Sequence, residues 1–344
     1  MKHTKSSRLG GLVKKTSLAL IASAFVLSAT IAQAEIRPAV VYDTAGKNDK
    51  SFNEAVFVGI TKFMNDTGIA VTELEPTNES MMEQSLKKLA QRGYSPVVAV
   101  GFTMANAVQA AAEEYPDTKF TLIDMVVGLP NVQNVIYKEH EGSFLVGALA
   151  AMKSETAKVG FVGGMDIPLI RRFACGYVQG VKHINSGATV YQKMTGTTPA
   201  AWNDPTRGGE LAKSMYDNGA DIVYAAAGGT GLGVLQAAAD NKKLSIGVDS
   251  NQNHIQPGSV LTSMLKRVDV ASYEVFKTAH EGTWKPGFKV LGLAEDGVGW
   301  SLDQHNVNLV DKDMIVKVEM IRKDIMSGKI KVHDYMSDNS CPVQ

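Results

Sequence analysis

Short apolar runs alternate along the chain with longer stretches whose apolar positions recur every three to four residues. Runs at 39–41, 70–74, 97–100, 120–123 and 132–136 predict strands, the first of them buried, and a second series at 159–162, 189–192, 221–224 and 244–247 repeats the pattern. Helical spacing fills the gaps, over 50–66, 79–91, 104–114, 141–153, 170–185, 206–218 and 230–241. A strand at 258–263, a helix at 268–281, a strand at 289–293 and a closing helix at 311–327 complete the series. Strand–helix alternation with short turns predicts an α/β protein with parallel sheets and helices on both faces. The restart near residue 139 predicts two similar lobes. Late segments return to the first lobe, so the expected division is 35–138 plus about 264–294, and 139–263 plus about 295–344. A cleft between the lobes, hinged on crossover strands, is where such a fold holds a ligand.

The first 34 residues fall outside this pattern. Lys2, Lys5, Arg8, Lys14 and Lys15 precede an apolar segment at 18–31 and the small-x-small triplet Ala32-Gln33-Ala34. That order predicts an export signal cleaved near Ala34. The apolar segment is short for a membrane span, which needs about 20 residues. The expected product is a soluble periplasmic protein. Five of the 35 Lys and Arg lie in this segment, leaving 30 against 35 acids, a net charge near −5. That balance argues against nucleic acid or an anionic membrane as partner. Cys175 and Cys341 are the only cysteines. In an oxidising compartment they are candidates for a disulfide tying the C-terminal tail to the body, the alternative being two free thiols.

Enzyme signatures are absent from the sequence. It contains no Gly-x-Ser-x-Gly elbow, and Phe288 stands where a phosphate loop beginning at Gly282 requires Lys. The glycine-rich Gly228 to Gly233 lacks dinucleotide-binding spacing, and no His pair has metal-ligand spacing. Binding without a cofactor is therefore the expected role. The loop 42–53, between the first strand and first helix, carries Asp43, Asn48, Asp49 and Phe52. Asp43, Asp124 and Asp249 each end a predicted strand and would face one crevice. A carboxylate can accept both hydroxyls of a ribose, or ring N–H groups. Phe52 and Trp202, from different lobes, suit the two faces of a planar ring, at about 1–3 kcal/mol of stacking each. Gly228 opens a helix whose free N–H groups suit ligand oxygens. Lys266, after the apolar 261–264, suits a hydroxyl while balancing an acid. Simpler roles stand beside these: Asp49 as a helix cap, Phe52 as a core residue, Lys266 beside Arg267 as a surface charge.

Six ordered motifs carry these residues. They are Asp43-x-x-Gly46-x-x-Asp49-Lys50-Ser51-Phe52-Asn53, Phe173-Ala174-Cys175-Gly176-Tyr177-x-x-Gly180, Trp202-Asn203-Asp204-Pro205, Ala227 to Gly233, Gly247 to Gln252, and Leu261 to Val268. In that order the chain resembles the basic membrane protein family, the PnrA-like substrate-binding proteins of ABC transporters. The resemblance implies a type I periplasmic-binding-protein fold, two Rossmann-like lobes joined by crossover strands. It implies a monomer that binds a purine nucleoside such as guanosine, inosine or adenosine and delivers it to a permease in the inner membrane. Phe52 and Trp202 would sandwich the base. Asp43, Asn48 and Asp124 would contact its edge, and Gly228, Asp249 and Lys266 the ribose. Two departures stand out. Trp202 occupies a position where nucleoside binders of the family carry Phe, and the lipid-attachment cysteine of many members is missing. The same receptor role with a flavin or a sugar is one alternative. A periplasmic nucleoside-processing enzyme using Asp43 or Asp249 is another.

Overall fold

The computed structural model describes residues 36–343, so the expected export signal lies outside the described residues. In the first half of the chain, β1 (Ala39–Val41), β2 (Thr72–Leu74), β3 (Val97–Val100), β4 (Phe120–Ile123) and β5 (Val132–Tyr137) are separated by α1 (Phe52–Thr67), α2 (Glu79–Gln91) and α3 (Ala105–Glu114). After α4 (Glu139–Lys153) the pattern restarts with β6 (Lys158–Met165), α5 (Pro168–Ile184), β7 (Thr189–Gly196), α6 (Pro205–Asp217), β8 (Ile222–Ala226), α7 (Gly231–Asp240), β9 (Leu244–Asp249) and β10 (Val260–Lys266). The chain ends with α8 (Val268–His280), β11 (Gly287–Leu291), β12 (Val298–Trp300) and α9 (Lys312–Met326).

These strands form two six-stranded sheets, ordered β11-β5-β4-β3-β1-β2 and β12-β10-β9-β8-β6-β7. The first is parallel throughout, and in the second only β12 runs antiparallel, against β10. Strands β1, β3 and β4 are buried along their whole length. That is why they read as continuous apolar runs rather than alternating ones. Where strands outrun their apolar stretch, the ladder is the reason. Met165 pairs with Gly196, and Lys266 pairs with Val298. The second sheet therefore keeps β10 as far as Lys266, two residues beyond the expected return to the first lobe. The three-residue β12 is too short for any periodic signal and was not anticipated.

The chain passes between the sheets three times, after Tyr137, after Lys266 and after Leu291. These passages bond to one another. Lys138 N–H donates to Leu291 O at 3.0 Å, Arg267 N–H to Gly297 O at 2.9 Å, and the Tyr137 hydroxyl to Arg267 O at 3.3 Å. Helices α4 and α5 pack almost backbone to backbone. A Cβ at Gly147 would lie 2.3 Å from Tyr177 O, and one at Gly180 would lie 2.0 Å from Phe144 O. On α5, Cys175 is joined to Cys341 with a Cα–Cα distance of 5.6 Å, which staples the C-terminal tail to the second lobe.

Candidate ligand-binding cleft

The carboxyl ends of β1, β3 and β4 face those of β6, β8, β9 and β10 across a cleft with about 570 Å³ of space free of protein atoms, part of it open to solvent. Asp43, Phe52, Asp124, Trp202, Gly228, Asp249 and Lys266 all line it. Of the residues expected there, Asn48 is the exception. It is exposed on the first loop and is not among the lining residues. Its neighbour Asp49 turns inward instead, because the carboxylate takes the free N–H groups at the start of α1. Asp49 accepts from Ser51 and Glu54 through one oxygen, at 2.9 and 3.0 Å, and from Asn53 through the other, at 3.0 Å. Asp49 is thus both a cap and a wall of the cleft.

Asp43 follows the last residue pair of β1. One of its oxygens accepts from the Asn53 amide at 2.7 Å and Ala45 N–H at 2.9 Å. Burial pushes its carboxyl upward against those two bonds. Asp124 and Asp249 follow β4 and end β9 in left-handed backbone, with φ of 74° and 64°. A non-glycine residue rarely adopts that conformation, and it is concentrated at functional sites. Burial raises both carboxyls, with Lys266 opposing. Burial pushes Asp49 up to about 7.

Lys266 is 2% exposed. Its ammonium lies 2.6 Å from Asp124 and 3.0 Å from Glu139, and 5.1 Å from the ring centres of both Phe52 and Tyr137. Burial opposes its charge, but Asp124, Glu139 and Asp249 hold its pKa above the ordinary lysine value. Glu139 is buried too, yet Lys266 and Arg172 together keep it below the usual range. Arg172 lies 3.0 Å from Glu139 and forks onto Asp334 of the tail, at 2.7 Å on each arm. The surface-charge reading of Lys266 is therefore ruled out. Its ammonium donates to Asp124 and lies beside Glu139 as an ion pair, so donor capacity remains for a ligand.

The opposite wall is set by two loops that fix each other. Asp204 caps α6 by accepting from Arg207 N–H at 2.9 Å, with Pro205 in the first turn. The buried Thr230 hydroxyl donates to Ala201 O at 2.8 Å and accepts from Asp204 N–H at 2.7 Å. This ties the short helical turn bearing Trp202 to the glycine loop. Gly228, with φ of 55°, sits where a Cβ would come 3.3 Å from Trp202 O. The Trp202 ring meets Phe102 of the first lobe edge-on, with centres 6.4 Å apart.

Contacts also cross the cleft at the start of α1. The Ser51 hydroxyl donates to Asp249 at 2.6 Å, the Ser250 hydroxyl to Ser51 O at 2.9 Å, and the Gln252 amide to Lys50 O at 2.8 Å. The lobes are therefore drawn together.

Sequence reasoning missed Phe102, Phe173 and Glu139 as parts of this site. Phe102 follows β3 just as Asp43 follows β1, so the same positional logic would have found it. Glu139 had no such signal, since its partners Lys266 and Arg172 are distant in sequence.

A family model described as ABC transporter substrate-binding protein PnrA-like matches residues 36–335. The chain is 33% identical over 317 residues to the CD4+ T-cell-stimulating antigen of Listeria monocytogenes, covering 86% of this chain and 87% of that protein. It is 30% identical over 321 residues to the ABC transporter nucleoside-binding protein BmpA of Lactococcus lactis, covering 87% and 89%. Among solved structures, an ABC transporter solute-binding protein from Aeropyrum pernix superposes with a TM-score of 0.79 at 30% identity, covering 86% of this chain and 93% of that one.

Proposed function

The chain belongs to the PnrA-like family of ABC transporter substrate-binding proteins, and from that premise we propose that it captures a purine nucleoside in the interlobe cleft. Its family role implies a small-molecule ligand and a permease partner. The nucleoside reading rests chiefly on the cleft's composition. Four carboxylates, Asp43, Asp49, Asp124 and Asp249, line it together with Phe52, Phe102, Phe173 and Trp202. Such a surface favours a flat, uncharged molecule rich in N–H and O–H donors. The name of the Lactococcus lactis relative, a nucleoside-binding protein, supports the same choice.

Charge also separates nucleoside from nucleotide. Lys266 is the only cation among the lining residues, and Asp124 and Glu139 already hold it. A phosphate would meet carboxylates without a free counter-charge, which disfavours it strongly in a buried site. On this reading Phe52 and Trp202 cover the base, and the aspartates take its ring N–H groups and the ribose hydroxyls. Binding shifts the lobes toward the closed arrangement that the permease recognises. The receptor works as a periplasmic monomer.

Thermal unfolding against guanosine, inosine and adenosine tests this, with the 5′-monophosphates, free bases, riboflavin and sugars as controls. A nucleoside at 100 times its dissociation constant adds about 2.7 kcal/mol of stability. Stabilisation by nucleosides and not by their monophosphates is expected. Stabilisation by riboflavin or a sugar alone would overturn the nucleoside reading. Free base released from inosine would overturn the receptor role.

A further inference from the structure

We propose that Gly164 and Phe102 act as positioning residues for the Trp202 indole and thereby set the width of the ligand slot. Gly164 lies on β6, directly beneath that ring. A Cβ built there would fall 2.3 Å from Trp202 Cζ3, 2.4 Å from Cε3 and 3.0 Å from Cη2. All three atoms belong to the six-membered half of the indole. The ring therefore rests on bare strand backbone, with no room for a methyl group beneath it. Restoring an ordinary contact of 3.4 Å would displace the ring by about 1 Å.

Phe102 bounds the indole from the other lobe. It follows Gly101, whose φ of 99° turns the chain sharply at the end of β3. Its ring meets Trp202 at 64° with centres 6.4 Å apart, an edge-to-face arrangement favourable for aromatic pairs. The backbone of the Trp202 turn is pinned independently by Thr230, so the ring cannot escape by moving the loop. The indole thus has a floor at Gly164 and a wall at Phe102. A Trp at position 202 and a Gly at position 164 form a matched pair. A Phe ring at 202 lacks the crowding atoms and would tolerate Ala at 164.

The affinity arm of the test rests on the nucleoside reading, while the stability arm does not. Wild type, Gly164→Ala, Trp202→Phe and the double variant are compared by thermal midpoint and by calorimetric titration with guanosine. Gly164→Ala should lower the midpoint and weaken guanosine at least tenfold. In the Trp202→Phe background the same change should leave the midpoint nearly unmoved and weaken binding less than twofold. An equal effect of Gly164→Ala in both backgrounds would overturn the pairing. If guanosine fails to bind the wild type, the nucleoside reading falls, and the midpoints still decide this proposal. For Phe102, the readout is the near-ultraviolet circular dichroism band that disappears in Trp202→Phe. Phe102→Ala should diminish that band, and an unchanged band would remove Phe102 from the role.

Discussion

Replacing Lys266 by Met would isolate the energetic centre of the cleft. The side chain is 2% exposed, and Met has similar length and an apolar body, so packing beside Phe52 and Tyr137 is kept. What is lost is the charge. Glu139 keeps Arg172 at 3.0 Å, so its carboxylate remains compensated. Asp124 has no such reserve. One of its oxygens already lacks a hydrogen-bond partner, and the other loses the ammonium at 2.6 Å. Breaking a buried pair by removing one partner costs about 3–5 kcal/mol, mostly for the stranded charge. Lys266→Met should therefore lose about that much in urea unfolding at pH 7. Adding Asp124→Asn removes the stranded charge and should return at least half of the loss, since neutral replacement of a whole pair is often tolerated. The double-mutant cycle reads the coupling directly. Strictly additive single losses would refute the claim that this pair is what the lysine stabilises.

Other predictions concern the ligand, pH and the tail. Asp249→Ala should weaken guanosine at least about tenfold, the order of one lost hydrogen bond to a charged group. Calorimetry showing unchanged affinity would take Asp249 out of the site. Trp202→Ala should weaken guanosine by about 1–3 kcal/mol, the range for one stacked base, and a smaller change would mean the indole does not stack. Asp49, pushed by burial to about 7 from an ordinary value of 3.8, retains a proton in the folded chain that the unfolded chain releases. Its contribution to stability is therefore full below about pH 4 and is lost as pH rises through about 7. Asp49→Asn should flatten that part of the thermal midpoint between about pH 4 and 7, and an unaltered slope would contradict the assignment. Reducing the Cys175–Cys341 bond, which spans 166 residues, should expose the tail to proteolysis beyond α9 while the body resists. The full entropic stabilisation of so long a loop, about 5 kcal/mol, is not expected, because the tail can detach without the body unfolding. Equal trimming of the oxidised and reduced protein would refute this.

The sequence was most legible where one residue's role depends on its place along a strand. Buried parallel strands are apolar runs, and a polar residue just past their end points to the cleft. That logic located Asp43, Asp124 and Asp249 beside the cavity. It was weakest where the outcome depends on competition within a loop. Asn48 and Asp49 are adjacent polar residues, and the start of α1 decided between them: Asp49 takes the N–H groups of Ser51, Asn53 and Glu54, which turns it inward and leaves Asn48 exposed. It was silent where partners meet only in three dimensions. Nothing local to Glu139 announces that Lys266 and Arg172 share it, and nothing local to Gly164 announces the indole above it.

The three interlobe passages are bonded to one another near Lys138, Arg267 and Gly297, so on the receptor reading proposed above they would bend together, as a laminated flexure does. A flexure of this kind bends about one axis and resists shear and torsion. On that reading the closing stroke would be set by the hinge, and the ligand would decide only whether the stroke is completed. The outward face offered to a permease would be the same for any molecule that closes the cleft. Changes among cleft residues could therefore retune selectivity without disturbing the docking face, which separates the choice of cargo from its delivery.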